Sequence, residues 1–306
     1  AAIETTTGPL GQGLANAVGM AIAAKKAQKN HKIYVIVGDG CLMEGISYEA
    51  LSLAGHLKLD NIIVLFDDNK ITIDGPTNLS VSENHIEKLH AMGWNCFQAD
   101  GHNFNDINEV LSMAKFSGRP SFISLRTVIG YGCSNKAGSE TAHGSALGAD
   151  EIASLRRNLD WESYEHFNIP DELLEIWRDA WKQNASSSTE SSIEEAHKHK
   201  NYNFDIDAKT LYEMHPARTP EATRVSSGKV VSYLLHISNQ VIIGSADLSN
   251  SNNVTSPNAY PMAAGNFSGN FIHYGVREHA MAAIMNGLSL EGFKAVGGTF
   301  LVFSDY

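Results

Sequence analysis

Two short apolar runs, about one helix apart in the chain, each end in a polar cluster. The first run covers residues 33–37 (IYVIV) and stops at Gly-Asp-Gly, residues 38–40, whereas the second covers residues 62–66 (IIVLF) and stops at Asp-Asp-Asn. β-Branched and aromatic runs of this length, bounded by glycine or polar residues, are typical of buried parallel strands. Residues 44–59 carry apolar side chains at helical spacing, so the segment predicts a strand, a helix and a second strand.

The two polar clusters predict a metal site, because the carboxyl ends of parallel strands meet at one edge of a sheet, where open α/β sheets bind ligands. Mg²⁺ prefers oxygen ligands, which Asp39, Asn69 and the backbone carbonyl of Ile71 can supply. Gly38 and Gly40 leave room for a diphosphate beside the backbone. Gly-Asp-Gly alone favours an ordinary turn. The metal interpretation therefore depends on the second cluster, at the end of the next strand.

Composition excludes some classes of partner. The chain has 306 residues, 43% of them apolar, and a net charge of −11 with only short basic clusters, so nucleic acid is not an expected partner. The longest apolar stretch, residues 13–24, is interrupted by Asn16 and is too short to span a bilayer. Three widely spaced cysteines without metal-binding spacing favour a reducing cytoplasm.

Strand-like and helix-like segments alternate along the chain, which predicts an α/β fold with parallel sheets covered by helices. We expect helices over residues 9–28, 106–116, 226–237 and 278–290, and further strands over residues 94–98, 121–127, 241–245 and 271–274. The polar, serine-rich residues 184–192 and the charged stretch after them look like a linker.

Several longer sequence motifs accompany the predicted metal site. They are TTGPLGQG (6–13), GDGCLMEGISYEA (38–50), LAGHLKL (53–59), DDNKITIDG (67–75), NKAGSETAHG (135–144), GSADL (244–248), YGVREHAM (274–281) and GGTFL (297–301). In this order they resemble the transketolase family of thiamine-diphosphate-dependent enzymes.

The resemblance implies a parallel-sheet thiamine-diphosphate-binding fold with two α/β domains, both incomplete. Residues 1–183 would form a diphosphate-binding domain that lacks its start, residues 184–222 a linker, and residues 223–306 the start of a pyrimidine-binding domain. Because the chain begins at Ala1 rather than at methionine, we expect it to be part of a longer protein.

The resemblance also assigns a cofactor site. Asp39, Asn69 and the Ile71 carbonyl would hold Mg²⁺, or alternatively Ca²⁺ or another divalent cation. The residues expected to contact thiamine diphosphate are Gly8, Pro9, Leu10, Asp39, Gly40, Asn69, Ile73, His143, Asp247 and Glu278.

Two of these residues are expected to act in catalysis. Glu278 matches the glutamate that hydrogen-bonds the cofactor's aminopyrimidine, although without the resemblance it would be an ordinary acid in the first turn of a helix. His143 matches a histidine that contacts cofactor and substrate, and it would otherwise be an exposed loop histidine.

The resemblance also implies that Arg224 and Ser251 bind the phosphate of the sugar substrate, a task that suits arginine because its planar guanidinium binds phosphate oxygens bidentately. A surface charge and a plain loop serine are the alternatives for these two, and Asn250 stands where the family usually has proline. Glu44 and Glu49 match acids that contact the partner subunit, but as helix residues they could equally be solvated.

The implied activity is reversible transfer of a two-carbon ketol unit from a ketose phosphate to an aldose phosphate, in the pentose phosphate pathway. The implied assembly is a homodimer in which Glu278 serves the partner's cofactor. Dihydroxyacetone synthase, which uses formaldehyde as the acceptor, is the alternative enzyme, and a non-catalytic truncated fragment is the alternative of another class.

Overall fold

The computed structural model describes residues 3–161, 163, 165–187, 206–214 and 220–304. The chain divides into two compact units. The first comprises Ala1–Tyr131, Gly138–Ser145 and Asp207–Tyr306, and the second comprises Gly132–Ala137 and Ala146–Ile206.

Helices and strands alternate through the first unit. Its helices are α1 Gln12–Lys26, α2 Asp39–Met43, α3 Gly45–His56, α4 His85–Ala91, α5 Phe104–Lys115, α8 Ala208–Met214, α9 Thr223–Ile237, α10 Ser249–Asn252 and α11 Glu278–Leu290, with α6 Ala149–Asn158 and α7 Asp171–Ser187 in the second unit. The strands are β1 Ile33–Gly38, β2 Ile62–Asp68, β3 Ile71–Thr72, β4 Gly75–Pro76, β5 Asn95–Asp100, β6 Ser121–Arg126, β7 Val241–Ser245, β8 Phe271–His273 and β9 Lys294–Gly298.

The first sheet is parallel and has the order β1-β2-β6-β5 among the described residues. Its register pairs Gly38 with Asp67 and, one strand further, Asp67 with Leu125. The polar clusters that follow β1 and β2 therefore lie side by side at the carboxyl edge of the sheet. The expected βαβ unit is confirmed.

The second sheet, β8-β7-β9, is also parallel, and the small β3-β4 hairpin is antiparallel. Two parallel sheets with intervening helices confirm the predicted α/β class. None of the helices among the described residues is long and apolar enough to cross a membrane.

One apolar core joins the N-terminal and C-terminal parts of the first unit, and α1 and α11 cross at its centre. The crossing is close because both helices carry glycine there. A Cβ on Gly19 would lie 2.1 Å from the carbonyl oxygen of Ile284, and a Cβ on Gly287 would lie 2.0 Å from that of Asn16. Glycine is therefore required at both positions for the backbones to approach this closely.

The second unit is held by a buried acid. Glu151 on α6 accepts hydrogen bonds from the backbone N–H of Asn135 at 2.7 Å and from the side chain of Asn135 at 3.0 Å. These hydrogen bonds, led by that from the Asn135 backbone, lower the pKa of Glu151. The carboxylate thus anchors the segment 132–137 to α6.

Several predicted bounds differ from the observed ones by one to three residues. Three differences have a physical reason that the structure shows. Helix α1 begins at Gln12 rather than at residue 9, because Gly11 adopts a left-handed conformation with φ 80° at the helix N-cap. It ends at Lys26 rather than at residue 28, where Gln28 turns to φ 56°. Strand β1 is not fully buried: it lies at an edge of the described sheet, and Ile36 is 75% exposed.

The predicted division at residues 184–222 remains a prediction. Much of that segment, namely residues 188–205 and 215–219, lies outside the described residues, and helix α8 lies between these two gaps.

Candidate cofactor and metal site

Asp39 lies at the centre of the predicted site. It directly follows β1 as the first residue of α2, and its residue surface is only 5% exposed. Its Oδ2 atom has no hydrogen-bond partner among the described residues. Buried carboxylate oxygens are rarely left unpaired, since their desolvation is costly. Asp39 is therefore suited to a cation.

The electrostatics of Asp39 agree with that assignment. Burial, and next the charge of Asp68, raise its pKa to about 6, while the charge and the backbone N–H of Lys70 oppose the rise. Burial disfavours the charged form of a carboxyl group, and a nearby like charge adds to the effect. A divalent cation would reverse both effects by neutralising the carboxylates.

Asn69 has a fixed side-chain orientation. Its Nδ2 donates to Asp67 Oδ2 at 3.0 Å, and its Oδ1 accepts from the backbone N–H of Ile71 at 2.9 Å. Lys70, between them, adopts a left-handed φ of 62° that turns the chain into the β3-β4 hairpin. The backbone N–H of Lys70 hydrogen-bonds to Asp39, so the turn places Asn69 and Ile71 on either side of a residue that contacts Asp39.

These residues fit a magnesium or calcium ion with a phosphorylated ligand. Among the described residues, no group of three or more His, Cys, Asp or Glu side chains could hold a metal. A cation here would depend on one carboxylate, an amide oxygen and a backbone carbonyl, and on oxygens of the ligand. Mg²⁺ is commonly bound in this manner, by few protein ligands together with substrate phosphates.

The segment before α1 reaches the Gly-Asp-Gly cluster. Gly8, Pro9 and Leu10 are all exposed, and Leu10 Cδ1 lies 3.1 Å from where a Cβ on Gly40 would stand. Pro9 is not the first helical residue as expected, because α1 starts three residues later. Leu10 therefore approaches the Gly-Asp-Gly cluster from an irregular segment.

Two further predicted residues lie exposed on loops of the first unit. Ile73 is 71% exposed in the turn between β3 and β4. His143 is exposed and follows a 3₁₀ turn over Glu140–Ala142, where its backbone N–H donates to the carbonyl of Glu140 at 2.8 Å. Both side chains are accessible to a ligand.

Glu278 is the first residue of α11 and is half-buried. Its Oε1 accepts a hydrogen bond from Thr299 Oγ1 at 3.0 Å. The same first turn contacts two helices of the N-terminal part: Ala280 N donates to Glu49 Oε2 on α3 at 2.9 Å, and the His279 ring lies 2.7 Å from Gln12 Nε2 on α1. Glu49 is therefore a hydrogen-bond acceptor within the same chain rather than a solvated helix residue.

Asp247 lines a cavity of about 360 Å³ beside α3. It has a left-handed φ of 63° just after β7, and Ser52, His56 and Arg277 lie in the same wall. Arg277 donates to Ser52 Oγ at 3.1 Å. The cavity thus brings Asp247 together with the N-terminal part of the chain.

Arg224 and Ser251 are exposed on two helices that pack together, α9 and α10. A Cβ on Gly228 of α9 would lie 2.9 Å from the carbonyl oxygen of Asn253, so the contact is close. The two residues predicted to bind phosphate therefore lie on neighbouring helices, in the part of the first unit that contains the second sheet.

Sequence reasoning missed two contacts around the predicted residues, each made by a group on another element. Thr127 Oγ1 donates to Asp67 Oδ1, and Glu49 accepts from the helix that carries Glu278. Thr127 lies just beyond β6, the neighbour of β2, so the strand order would have indicated the first group. The second depends on the packing of α11, which no local pattern shows.

Comparison with known proteins identifies the family of the chain. The sequence matches the family profile "Transketolase, thiamine diphosphate binding domain" over residues 1–217 and "Transketolase, pyrimidine binding domain" over residues 220–306. A transketolase of Sinorhizobium medicae is 42% identical over 326 residues, which cover 99% of this chain and 47% of that protein.

Solved structures give the same result. Transketolase from Leishmania mexicana matches with a TM-score of 0.84 and 36% identity, over 98% of this chain and 49% of that one. Transketolase from Pichia stipitis, in complex with sedoheptulose 7-phosphate, matches with a TM-score of 0.82 and 33% identity, over 99% of this chain and 50% of that one. The chain spans about half the length of the curated relatives it matches, and over that span it belongs to the transketolase family.

Proposed function

We propose that this chain supplies the thiamine-diphosphate and metal site of a transketolase. The reaction would move a two-carbon ketol unit from a ketose phosphate such as xylulose 5-phosphate to an aldose phosphate such as ribose 5-phosphate. The observation that carries the proposal is the buried Asp39, with an unpaired Oδ2, beside the Asn69–Ile71 turn at the edge of a parallel sheet.

Asp39, Asn69 and the Ile71 carbonyl would hold a divalent cation, Mg²⁺ or Ca²⁺, that pairs with the diphosphate. Gly40 has no side chain, so the ligand can approach the backbone there, and Leu10 and Ile73 offer apolar contacts to the cofactor rings. When bound, thiamine diphosphate supplies the electron sink that stabilises the transferred two-carbon unit.

Glu278 would hold a proton at its carboxyl group and hydrogen-bond the ring nitrogen of the aminopyrimidine. Thr299 donates to Oε1 and so fixes the rotation of the carboxyl group. General acid groups of this kind act only when they are within hydrogen-bond reach of the proton acceptor. The first turn of α11 is in turn fixed by Glu49 through Ala280.

The substrate would be bound by three exposed polar residues. Arg224 and Ser251, on helices that pack together, suit the terminal phosphate, because a guanidinium binds phosphate oxygens bidentately. His143, on an accessible loop, could take protons from and return them to sugar hydroxyls near neutral pH.

We further propose that the protein works as a homodimer, with Glu278 of one copy serving the cofactor of the other, as in the family it resembles. The cytoplasm is the proposed compartment. The three cysteines, Cys41, Cys96 and Cys133, are all unpaired, which is consistent with a reducing environment.

The direct test is ketol transfer from xylulose 5-phosphate to ribose 5-phosphate by the full-length protein, comparing Glu278→Gln with Glu291→Gln. Glu291 lies at the C-terminal end of the same helix, so its variant controls for a change in helix charge. We expect Glu278→Gln to lower kcat at least about 100-fold, the usual contribution of a positioned acid, and Glu291→Gln to leave it unchanged. Equal rates for the wild type and Glu278→Gln would contradict the proposal.

A further inference from the structure

Asp67 is the second-to-last residue of β2, and Thr127 directly follows the neighbouring strand β6, at the edge of the sheet where Asp39 lies. Asp67 lies opposite Gly38 in the register of β1 and β2, which brings it next to the start of the Gly-Asp-Gly cluster. Neither side chain is among the residues proposed to contact the cation or its ligand. Both, however, belong to a series of hydrogen bonds in which Thr127 donates to Asp67, and Asp67 in turn accepts from Asn69.

The first hydrogen bond of this series, donated by Thr127, fixes the side chain of Asp67. Thr127 Oγ1 donates to Asp67 Oδ1, and the backbone N–H of Thr127 lies 3.4 Å from the carbonyl oxygen of Asp68. Because Thr127 just follows β6, which pairs with β2 residue by residue, its backbone position relative to Asp67 is set by the sheet.

Packing fixes the rotamer of Thr127 as well. A Cβ on Gly101 would lie 2.4 Å from Thr127 Cγ2, so the methyl group rests directly against the Gly101 backbone. The Gly101 N–H also donates to the carbonyl of Arg126 at 2.8 Å. With its methyl group placed there, the β-branched side chain turns its hydroxyl toward Asp67.

The second hydrogen bond of this series fixes Asn69. Its amide nitrogen donates to Asp67 Oδ2 at 3.0 Å, so its amide oxygen lies on the other side of the group. That oxygen accepts from Ile71 N and keeps a second lone pair. A carboxylate accepts hydrogen bonds and cannot donate them, so Asp67 selects the nitrogen end of the amide.

We propose that Asp67 and Thr127 are positioning residues that present the amide oxygen of Asn69, rather than its nitrogen, to the divalent cation. The inference rests on the proposed function, since it concerns the same cation and its diphosphate ligand. An amide turned the other way would present two N–H donors to the cation, which would repel it. Partners that orient metal ligands commonly change metal affinity by about 10- to 100-fold when they are removed.

The test measures cofactor binding rather than turnover. Thiamine diphosphate is titrated calorimetrically into the full-length protein at a series of Mg²⁺ concentrations, and the half-saturating Mg²⁺ concentration is recorded. We expect Asp67→Ala to raise that concentration about 10- to 100-fold. Thr127→Val, which keeps the shape but loses the hydroxyl, should raise it several-fold. Thr127→Ser, which keeps the hydroxyl but loses the methyl group that orients it, should stay closer to the wild-type value than Thr127→Val.

Two controls separate positioning from general damage. Asp100→Asn changes an exposed acid at the end of the adjacent strand β5 and should leave the Mg²⁺ dependence unchanged. The double variant Asp67→Ala with Thr127→Val should be no worse than Asp67→Ala alone, because Thr127 acts only through Asp67. Additive losses in the double variant would overturn the proposed coupling.

The outcomes also separate this proposal from the proposed function. If Asp39→Ala abolishes Mg²⁺-dependent binding while Asp67→Ala leaves it unchanged, the site stands and the positioning role is wrong. If the wild type binds thiamine diphosphate without any Mg²⁺ dependence, the metal site itself is wrong. Should Asp67→Ala fail to fold, equal values for Thr127→Val and Thr127→Ser would still overturn the proposal.

Discussion

The carboxylate of Glu49 accepts a hydrogen bond from the backbone N–H of Ala280 at 2.9 Å. The first N–H groups of a helix have no partner within the helix, and an acidic side chain both satisfies them and complements the helix dipole. A residue of α3, the helix that follows the Gly-Asp-Gly cluster, therefore caps α11, the helix that begins with Glu278. This contact, together with that of Arg277 with Ser52, links the two parts of the proposed site.

Removing that cap should destabilise the protein. Glu49→Ala leaves the Ala280 N–H without its acceptor, and we expect the free energy of unfolding to fall by about 1 kcal/mol, the usual effect of losing a helix cap. Glu49→Gln keeps an acceptor oxygen and should lose less. Urea denaturation measures both, with Glu109→Ala, an exposed helix residue on α5, as the control that should change little.

At the α1–α11 crossing, two opposing effects decide whether replacing glycine by alanine stabilises or destabilises the protein. Replacing glycine by alanine inside a helix normally stabilises it by about 1 kcal/mol. At Gly287 the new Cβ would stand 2.0 Å from a backbone carbonyl, and at Gly19 2.1 Å, so the helices would be forced apart. Overpacking costs about 1–3 kcal/mol, and we expect it to outweigh the helix propensity at both positions.

Gly45→Ala is the matched control for that experiment. Gly45 is also helical, at the start of α3, and a Cβ added there would meet nothing within 4 Å. Thermal unfolding should therefore show a lower Tm for Gly19→Ala and Gly287→Ala and an unchanged or higher Tm for Gly45→Ala. A higher Tm for all three variants would contradict the close crossing.

Cation binding should depend on pH through Asp39. Its pKa in the folded protein is raised to about 6 from an ordinary value of 3.8, so folding takes up a proton between these values. The stability of the metal-free protein should accordingly fall as the pH rises through that window and stay lower above it. A divalent cation competes with the proton, so the stabilisation it provides should grow through about pH 6.

The measurement is the rise in Tm on adding Mg²⁺ and thiamine diphosphate, at about pH 5 and about pH 7.5. We expect the larger rise at the higher pH for the wild type. Asp39→Asn, which cannot ionise, should show a small rise at both pH values. A pH dependence that persists in this variant would assign the titration to another group.

Phosphate recognition can be tested at Arg224. A hydrogen bond to a charged group contributes about 1.5–3 kcal/mol, so Arg224→Gln should raise the KM for ribose 5-phosphate by about 10-fold or more. The unphosphorylated acceptor glycolaldehyde serves as the control and should show no change in KM. If formaldehyde proved a better acceptor than ribose 5-phosphate, that result would instead favour the dihydroxyacetone synthase alternative.

Local patterns predicted most of the fold. The strand over residues 241–245 and the helix over residues 278–290 were predicted with their observed bounds, because apolar periodicity and a terminal acid or glycine mark these ends. The start of α1 was wrong, since Pro9 is a good first helical residue but the helix begins only after Gly11, which is left-handed. A Cβ on Gly11 would lie 2.5 Å from Ile46 Cγ2 of α3, so only glycine fits there. That constraint comes from α3 and is not visible in the local sequence.

The candidate site was predictable to a smaller extent. Asp39 and Asn69 could be paired from the spacing of two strands, because parallel strands bring their carboxyl ends together. Glu49 and Ala280, which are in contact, are 231 positions apart in the sequence, and Thr127 and Asp67 are 60 positions apart. Such contacts are set by helix packing and strand order, so the sequence motifs alone did not show them.

The central claim is that Asp39 and Asn69 hold a divalent cation that anchors a diphosphate. Crystals of the full-length protein grown with thiamine diphosphate and Mn²⁺ in place of Mg²⁺ would locate the cation by its anomalous scattering. We predict an anomalous peak bonded to an oxygen of Asp39, to Asn69 Oδ1 and to the diphosphate. A cofactor bound with no peak at these oxygens, or with the peak on other residues, would contradict the account.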